Sequence, residues 1–193
     1  MPEESRSKLT RLDPRLPLVI DTRELGRRPG SMRTLSRSVP APADLGVDVL
    51  GVAEGSQLDL DLRLESVMEG VLVSGTARGE VTGECVRCLD PIASPLVVDI
   101  QELFAYPGQE QPDDETELRR LEGDLLDLEP VVRDAVVLAL PFQPVCRADC
   151  PGLCSECGVR LADDPGHQHD AVDTRWAALV ELSGLVEETT EER

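Results

Sequence analysis

The chain has 193 residues, of which 38 are acidic and 19 basic, giving a formal net charge of −19. Its length suits one domain with appendages, and 40% hydrophobic residues with 15 glycines are sufficient for a buried core. A body this acidic repels phosphate and loses the counterion release that drives most nucleic-acid binding. Two Phe, one Tyr and one Trp cannot both fill a core and build a base-stacking RNA platform. Composition therefore favours contact with basic proteins.

The N-terminal part of the chain is basic. Residues 1–37 hold nine basic and five acidic residues, a net of +4. We expect residues 1–15 to be disordered and residues 16–21 to form a short strand. The arginines that follow are candidates for contact with RNA or a partner protein: Arg23, Arg27, Arg28 and Arg33, with Arg37 beside them. The same segment is equally consistent with a mobile tail, and both interpretations stay open.

The clearest local pattern lies at residues 58–65, where four leucines alternate with four charged residues. Strict alternation is typical of a strand with one buried and one solvated face. Residues 71–76, 79–83 and 95–104 continue as strands. The pattern predicts an antiparallel meander or partial barrel with a cysteine knuckle at one hairpin tip.

A single core helix is predicted after this sheet. Pro130 opens it, because the missing N–H is not needed in the first turn, and Pro141 ends its apolar run. Residues 107–117 form an acidic loop, residues 125–128 a short strand, and Asp173 caps a short C-terminal helix that carries Trp176. The expected fold class is α+β, with a small cysteine-rich zinc lobe after the helix.

Six cysteines carry the strongest chemical signal. They form one CxxC pair and one dense run: Cys85 and Cys88, then Cys146, Cys150, Cys154 and Cys157. Thiolates in CxxC-like pairs are the usual ligands of a closed, tetrahedral structural Zn²⁺. We expect a structural zinc site.

Two pairings of the thiolates stay open. A local site would use all four cysteines of the dense run, with the first pair as a second or shared site. Alternatively, Cys85 and Cys88 would join Cys154 and Cys157 across the fold. The local site is favoured, because its ligands need no long-range loop closure. The two histidines, His167 and His169, lie in a sequence typical of an exposed turn but can replace a sulfur.

Disulfide and redox readings compete with zinc. The N-terminus has no apolar signal-peptide region and no apolar run is long enough to span a membrane. We therefore expect a cytoplasmic protein whose thiols stay reduced. A thiol oxidoreductase acting through Cys85 and Cys88 is a weaker alternative, because Leu89, Asp90 and Pro91 cannot open the long helix that normally activates such a pair.

Enzyme motifs are missing from the sequence. It contains no glycine-rich phosphate loop, no GxSxG and no HExxH, and both histidines share one turn. A zinc ion held by four thiolates has no open position for water. We expect a protein that is not an enzyme.

The motifs resemble those of the bacterial YceD family, the large ribosomal RNA subunit accumulation proteins. The resemblance rests on CVRCL at residues 85–89, LPFQPVC at 140–146 and CPGLCSECG at 150–158. Residues 21–33 and 173–179 resemble the actinobacterial branch. The resemblance covers residues 16–182 and implies a role in the synthesis, processing or stability of 23S ribosomal RNA.

The expected organisation follows from these observations. Residues 1–15 form a disordered N-terminus, residues 16–145 a YceD-like α+β domain, residues 146–182 the zinc lobe with the C-terminal helix, and residues 183–193 an acidic tail. The expected partner is a basic large-subunit ribosomal protein or an RNA-processing factor, with contact to ribosomal RNA at most indirect. Direct RNA binding through the N-terminal arginines is the alternative.

Overall fold

A computed structural model describes residues 12–108 and 118–169. Most of the expected N-terminal disordered segment and acidic loop, and all of the C-terminal helix and tail, lie outside these residues. The chain divides into two compact units, Met1–Cys150 and Pro151–Arg193. Within the described ranges, no helix is long and apolar enough to cross a membrane.

The described residues of the first unit form eight strands and one helix. They are β1 (Val19–Asp21), β2 (Met32–Pro40), β3 (Leu45–Val47), β4 (Leu50–Val52), β5 (Gln57–Ser66), β6 (Gly70–Glu84), β7 (Pro91–Ala105), β8 (Leu125–Asp127) and α1 (Glu129–Ala139). Six strands form one antiparallel sheet in the order β2-β5-β6-β4-β3, and β7 pairs with the other edge of β6. Strands β1 and β8 form a separate antiparallel pair. The sheet is open, so the fold is an α+β meander that does not close into a barrel.

Strand β5 forms because its sequence alternates at the period of a strand. Its leucines point to one face and are at most 3% exposed: Leu58, Leu60, Leu62 and Leu64. Directly opposite residues share a face in an antiparallel ladder, and Leu60 faces Ala77 while Leu64 faces Val73. The core therefore lies on one side of the sheet only.

Helix α1 covers this apolar side by packing against β7 and β3. It begins after Asp127, whose Oδ1 accepts a hydrogen bond from the Glu129 backbone N–H at 3.0 Å. Its buried residues are Val131, Val132 and Val136. The helix ends where Leu140 turns extended, as expected for a residue before proline. The predicted core helix is confirmed.

The other side of the sheet is solvated and acidic. The outward positions of β5, β6 and β7 carry six carboxylates, Asp59, Asp61, Glu65, Glu80, Glu84 and Asp99, against two guanidinium groups, Arg63 and Arg78. Both guanidinium groups already pair within the face, Arg63 with Glu65 at 2.9 Å and Arg78 with Asp61. We call these eight residues the acidic face.

Strand β6 is longer than its sequence suggests. The segments predicted at residues 71–76 and 79–83 are one strand of 15 residues. The glycines of β6 interrupt the strand pattern in the sequence. Gly75 is required because the β5 backbone passes close to it: a Cβ there would lie 2.1 Å from the Asp61 carbonyl oxygen. Strand β2 was not predicted, because polar side chains occupy most of its positions.

The one-sided core makes a mutational prediction. Replacing Leu60, which is 1% exposed, with alanine should lower the free energy of unfolding by about 2–5 kcal/mol, because the substitution leaves a cavity in the hydrophobic core. The matched control is Val97→Ala on the solvated side, where the side chain is 57% exposed and the expected change is within about 0.5 kcal/mol. Urea unfolding followed by circular dichroism measures both, and equal effects would contradict the assignment of faces.

Candidate metal centres

Cys85 and Cys88 lie at the tip of the β6–β7 hairpin, as predicted. The turn is closed by the Leu89 N–H, which donates to the Cys85 carbonyl at 2.9 Å, and by the Cys85 N–H, which donates to the Asp90 carbonyl at 2.8 Å. Leu89 adopts a φ of 61°, a left-handed conformation that is rare for a bulky side chain. Both sulfurs are thereby directed to the same point.

The chain leaving α1 returns to this tip. The Val86 N–H donates to the Pro144 carbonyl at 2.9 Å, and the Arg87 guanidinium donates to the Cys150 carbonyl at 3.0 Å. These bonds place Cys146 and Cys150 beside the knuckle. The result is a four-sulfur cluster of Cys85, Cys88, Cys146 and Cys150, which we call the four-thiol cluster.

The four-thiol cluster has the dimensions of a tetrahedral metal site. Its sulfurs all lie within 4.8 Å of one another, with 3.9 Å between Cys85 and Cys150 and 3.6 Å between Cys88 and Cys146. A tetrahedron with Zn–S bonds of about 2.3 Å has sulfur–sulfur edges of about 3.8 Å. A disulfide would need about 2.05 Å, so these are free thiols. The donor set fits a closed site for a thiophilic ion.

The pKa values of Cys85 and Cys88 are shifted in opposite directions within this cluster. Burial raises the pKa of the Cys85 thiol, but the backbone N–H groups of Cys146, Cys88 and Arg87 outweigh burial, so this pKa falls to about 6. At Cys88 the backbone N–H of Asp90 lowers the pKa. Burial and the neighbouring thiols together outweigh that effect, so the pKa of Cys88 lies above its ordinary value. Only a cation at the centre would let all four sulfurs ionise together.

A second cluster lies in the second unit, at Cys154, Cys157, His167 and His169. Its turn repeats the first knuckle: the Gly158 N–H donates to the Cys154 carbonyl at 2.9 Å, and Gly158 has a φ of 73°. Backbone N–H groups of Cys157 and Glu156 lower the pKa of Cys154 to about 6. We call this group the Cys–His cluster.

The imidazoles of the Cys–His cluster point inward through Nε2. His167 Nε2 lies 3.2 Å and His169 Nε2 3.3 Å from the Cys157 sulfur, and the two nitrogens are 2.8 Å apart. A tetrahedral zinc site with nitrogen and sulfur ligands has edges of about 3.3–3.6 Å. The two nitrogen–sulfur distances are about 0.3 Å shorter than that and the nitrogen–nitrogen distance about 0.5 Å shorter, so the donor atoms converge on one point and would have to separate slightly around an ion.

This grouping differs from both pairings considered from the sequence. The first unit gathers Cys85, Cys88, Cys146 and Cys150, and the second unit gathers Cys154 and Cys157 with the two histidines. The argument from loop closure did not include the packing of α1 across the sheet, which already returns the chain to the hairpin tip. Gathering Cys146 there therefore costs little further entropy. The two histidines lie beside the second pair and could offer it donors.

The N-terminal arginines belong to the folded first unit. Arg23 pairs with Asp21, and Arg33, on β2, pairs with Glu24 at 2.9 Å. The mobile-tail interpretation is therefore wrong for these two arginines. Together with Arg37, these two arginines line a cavity of about 550 Å³ whose other lining residues come mostly from β1 and β2.

Arg27 and Arg28 lie on the loop before β2. Arg27 pairs with Asp124 at 3.3 Å, and its guanidinium carbon lies 5.2 Å from the centre of the Tyr106 ring. Arg28 is exposed and makes no ion pair within residues 12–108 and 118–169. Arg37 donates to the carbonyls of Pro17 and Val19, the latter at 3.4 Å. Arg33 and Arg37 therefore attach the N-terminal segment to β2 of the sheet, and Arg27 attaches it to the residue before β8.

The fold and the site together define an α+β protein with an open antiparallel sheet and cysteine-rich clusters that could hold a metal ion. The chain belongs to the YceD family, whose model carries the description "Large ribosomal RNA subunit accumulation protein YceD" and matches residues 73–183. The matched region contains all six cysteines and both histidines.

Similar proteins occur in actinobacteria and beyond. An uncharacterized protein of Mycobacterium tuberculosis is 49% identical over 175 residues, 90% of this chain and 84% of the relative. One of Mycobacterium leprae is 43% identical over 168 residues, 86% of this chain and 77% of the relative. The uncharacterized protein YlbN of Bacillus subtilis is 28% identical over 112 residues, 55% of this chain and 63% of the relative. No solved structure matches the chain.

The four-thiol cluster makes a testable prediction about cysteine partners. In protein purified anaerobically, Cys85→Ser and Cys150→Ser should each remove the same metal ion, since both sulfurs belong to one cluster. The double variant should then lose no more metal than either single variant, as measured by elemental analysis per chain.

The control for this test is Cys154→Ser. Combined with Cys150→Ser, it should remove metal from both clusters, whereas the local pairing predicts that the two substitutions act on one ion. A Cys150→Ser, Cys154→Ser double variant with the metal content of either single variant would therefore contradict the grouping. Thermal unfolding of each variant would check that the sheet remains folded.

Proposed function

We propose that this protein is a non-catalytic factor that promotes accumulation of 23S ribosomal RNA in the cytoplasm by contacting a basic ribosomal or RNA-processing protein. The observation that carries the role is membership of the YceD family, over a match of residues 73–183. The manner of action is argued from the charge distribution of the described surface.

The acidic face supports a basic protein as the partner. Its six carboxylates outnumber its two guanidinium groups, and both guanidinium groups are already paired. The surplus negative charge spans three adjacent strands, so it attracts a positively charged surface and speeds encounter. A basic protein surface binds phosphate without sequence preference, and an acidic face would compete with phosphate for such a surface.

The arginines give weaker support to direct RNA binding. Arg23, Arg27 and Arg33 each face a carboxylate of the same unit, so a phosphate would have to displace it. Arg28 alone is a poor basis for affinity, since non-specific RNA binding sums many phosphate contacts. Protein contact is therefore the better-supported mode.

We assign Zn²⁺ to the four-thiol cluster, in a structural role. Four sulfur donors fill a tetrahedral ion, which leaves no open position for a reacting water. Three of the four cysteines are at most 6% exposed, so the ion would be shielded as well as saturated. Thiol oxidoreduction by Cys85 and Cys88 is less well supported, because two further sulfurs occupy the position that a substrate disulfide would need.

The proposed partner contact predicts a charge-reversal phenotype. A variant with Asp59, Glu80 and Asp99 changed to lysine should capture large-subunit ribosomal proteins from cell extract about tenfold less well than the parent chain, since rim charges govern encounter. The matched control reverses three exposed acids that lie outside the acidic face, Asp48, Glu54 and Glu69, and should capture normally. Quantitative mass spectrometry of the eluates measures both.

A depletion experiment with the same variants tests the ribosomal role separately from the proposed contact surface. Depletion of the protein in cells should lower the ratio of 23S to 16S ribosomal RNA, and the parent chain should restore it. Unchanged 23S levels on depletion would reject the ribosomal role. Restoration by the charge-reversed variant would instead retain the ribosomal role and reject the acidic face as its contact surface.

A further inference from the structure

We infer that the Cys–His cluster is a second, independent zinc site, and that it is the element which folds the segment at residues 151–169. This inference concerns the second unit alone and does not depend on the ribosomal role. Its ligands are the sulfurs of Cys154 and Cys157 and the Nε2 atoms of His167 and His169.

The histidines are oriented as metal ligands by carboxylates behind them. His167 Nδ1 lies 3.6 Å from an Asp164 carboxylate oxygen, and His169 Nδ1 lies 3.4 Å from a Glu156 carboxylate oxygen. A carboxylate facing Nδ1 favours the proton on that nitrogen, which leaves Nε2 free to donate its electron pair to a metal. The same two Nε2 atoms are those that converge on Cys157. The carboxylate and the imidazole of a carboxylate–histidine–metal arrangement are therefore present twice.

The segment has almost no core that could fold it without an ion. Among residues 151–169, only Gly152 is buried. Its regular structure is one isolated bridge between Leu153 and Arg160 with a few turn hydrogen bonds. A segment this small normally needs a disulfide or a metal to offset the entropy of ordering its backbone. Since the cysteines of this segment are free thiols, a bound metal is the remaining cross-link that could stabilise its fold.

The two centres differ in exposure, and that difference predicts unequal exchange. Cys157 and His169 are exposed, whereas Cys85, Cys88 and Cys150 of the four-thiol cluster are buried. A chelator reaches two exposed ligands of the Cys–His cluster but only one exposed ligand, Cys146, of the four-thiol cluster, so the second ion should leave more slowly. Removal of the exposed ion should unfold residues 151–169 and leave the sheet intact.

The test uses the full chain loaded with zinc. A colorimetric chelator should remove zinc in two phases of about one ion each, the faster one from the Cys–His cluster. Trypsin should then cut after Arg160 in the partly stripped protein, while the far-ultraviolet circular dichroism of the sheet is retained. A His167→Gln, His169→Gln variant should lack the fast phase and be cut without chelator.

Two sets of variants guard against a merely structural effect. Gln168→Ala, between the histidines, should keep both phases. Glu156→Gln and Asp164→Asn, which retain size but lose charge, should weaken zinc binding at the fast site about 10–100-fold without abolishing it. A histidine double variant that still binds two ions, or a parent chain that binds only one, would overturn the inference.

Discussion

The alternating leucines of β5 bury one face of an open sheet, and most of the molecule is arranged around that asymmetry. Helix α1 and the β1–β8 pair lie on the apolar side, because only there can their own apolar residues be removed from water. The opposite side keeps its charges in solvent, where a carboxylate costs nothing to hold. The alternating sequence of β5 therefore produces both the buried apolar face of the sheet and its solvated, charged face.

The same packing positions the four-thiol cluster. Once α1 lies across β7 and β3, the chain that follows it runs back to the β6–β7 tip, where the Pro144 carbonyl accepts from the Val86 N–H. Two sequence segments that are 58 residues apart at Cys88 and Cys146 therefore meet without a separate closing step. The described part of the second unit, residues 151–169, contains no such sheet, and its cysteines lie beside histidines that are near them in sequence.

Sequence reasoning predicted the parts that depend on local pattern. The leucine alternation of β5, the proline-bounded helix α1 and the knuckle between β6 and β7 all agree with the structure. Strand β2 and the pairing of the thiolates were beyond it, since both depend on partners far away in the chain. The turn-like setting of His167 and His169 also concealed their closeness to Cys157, although carboxylates at Glu156 and Asp164 were a signal that could have been weighed.

The hairpin of β6 and β7 pairs fifteen residues with fifteen, from Gly70 opposite Ala105 to Glu84 opposite Pro91. Sliding one strand past the other by a single residue would turn every buried side chain outward, and glycine-containing strands resist such slippage poorly. The cysteines at its closed end are held from outside the hairpin, by atoms of the chain leaving α1. A metal ion bound there would fix the register of the thirty paired residues from one end. The bonds at that end would then determine which face of the hairpin is buried.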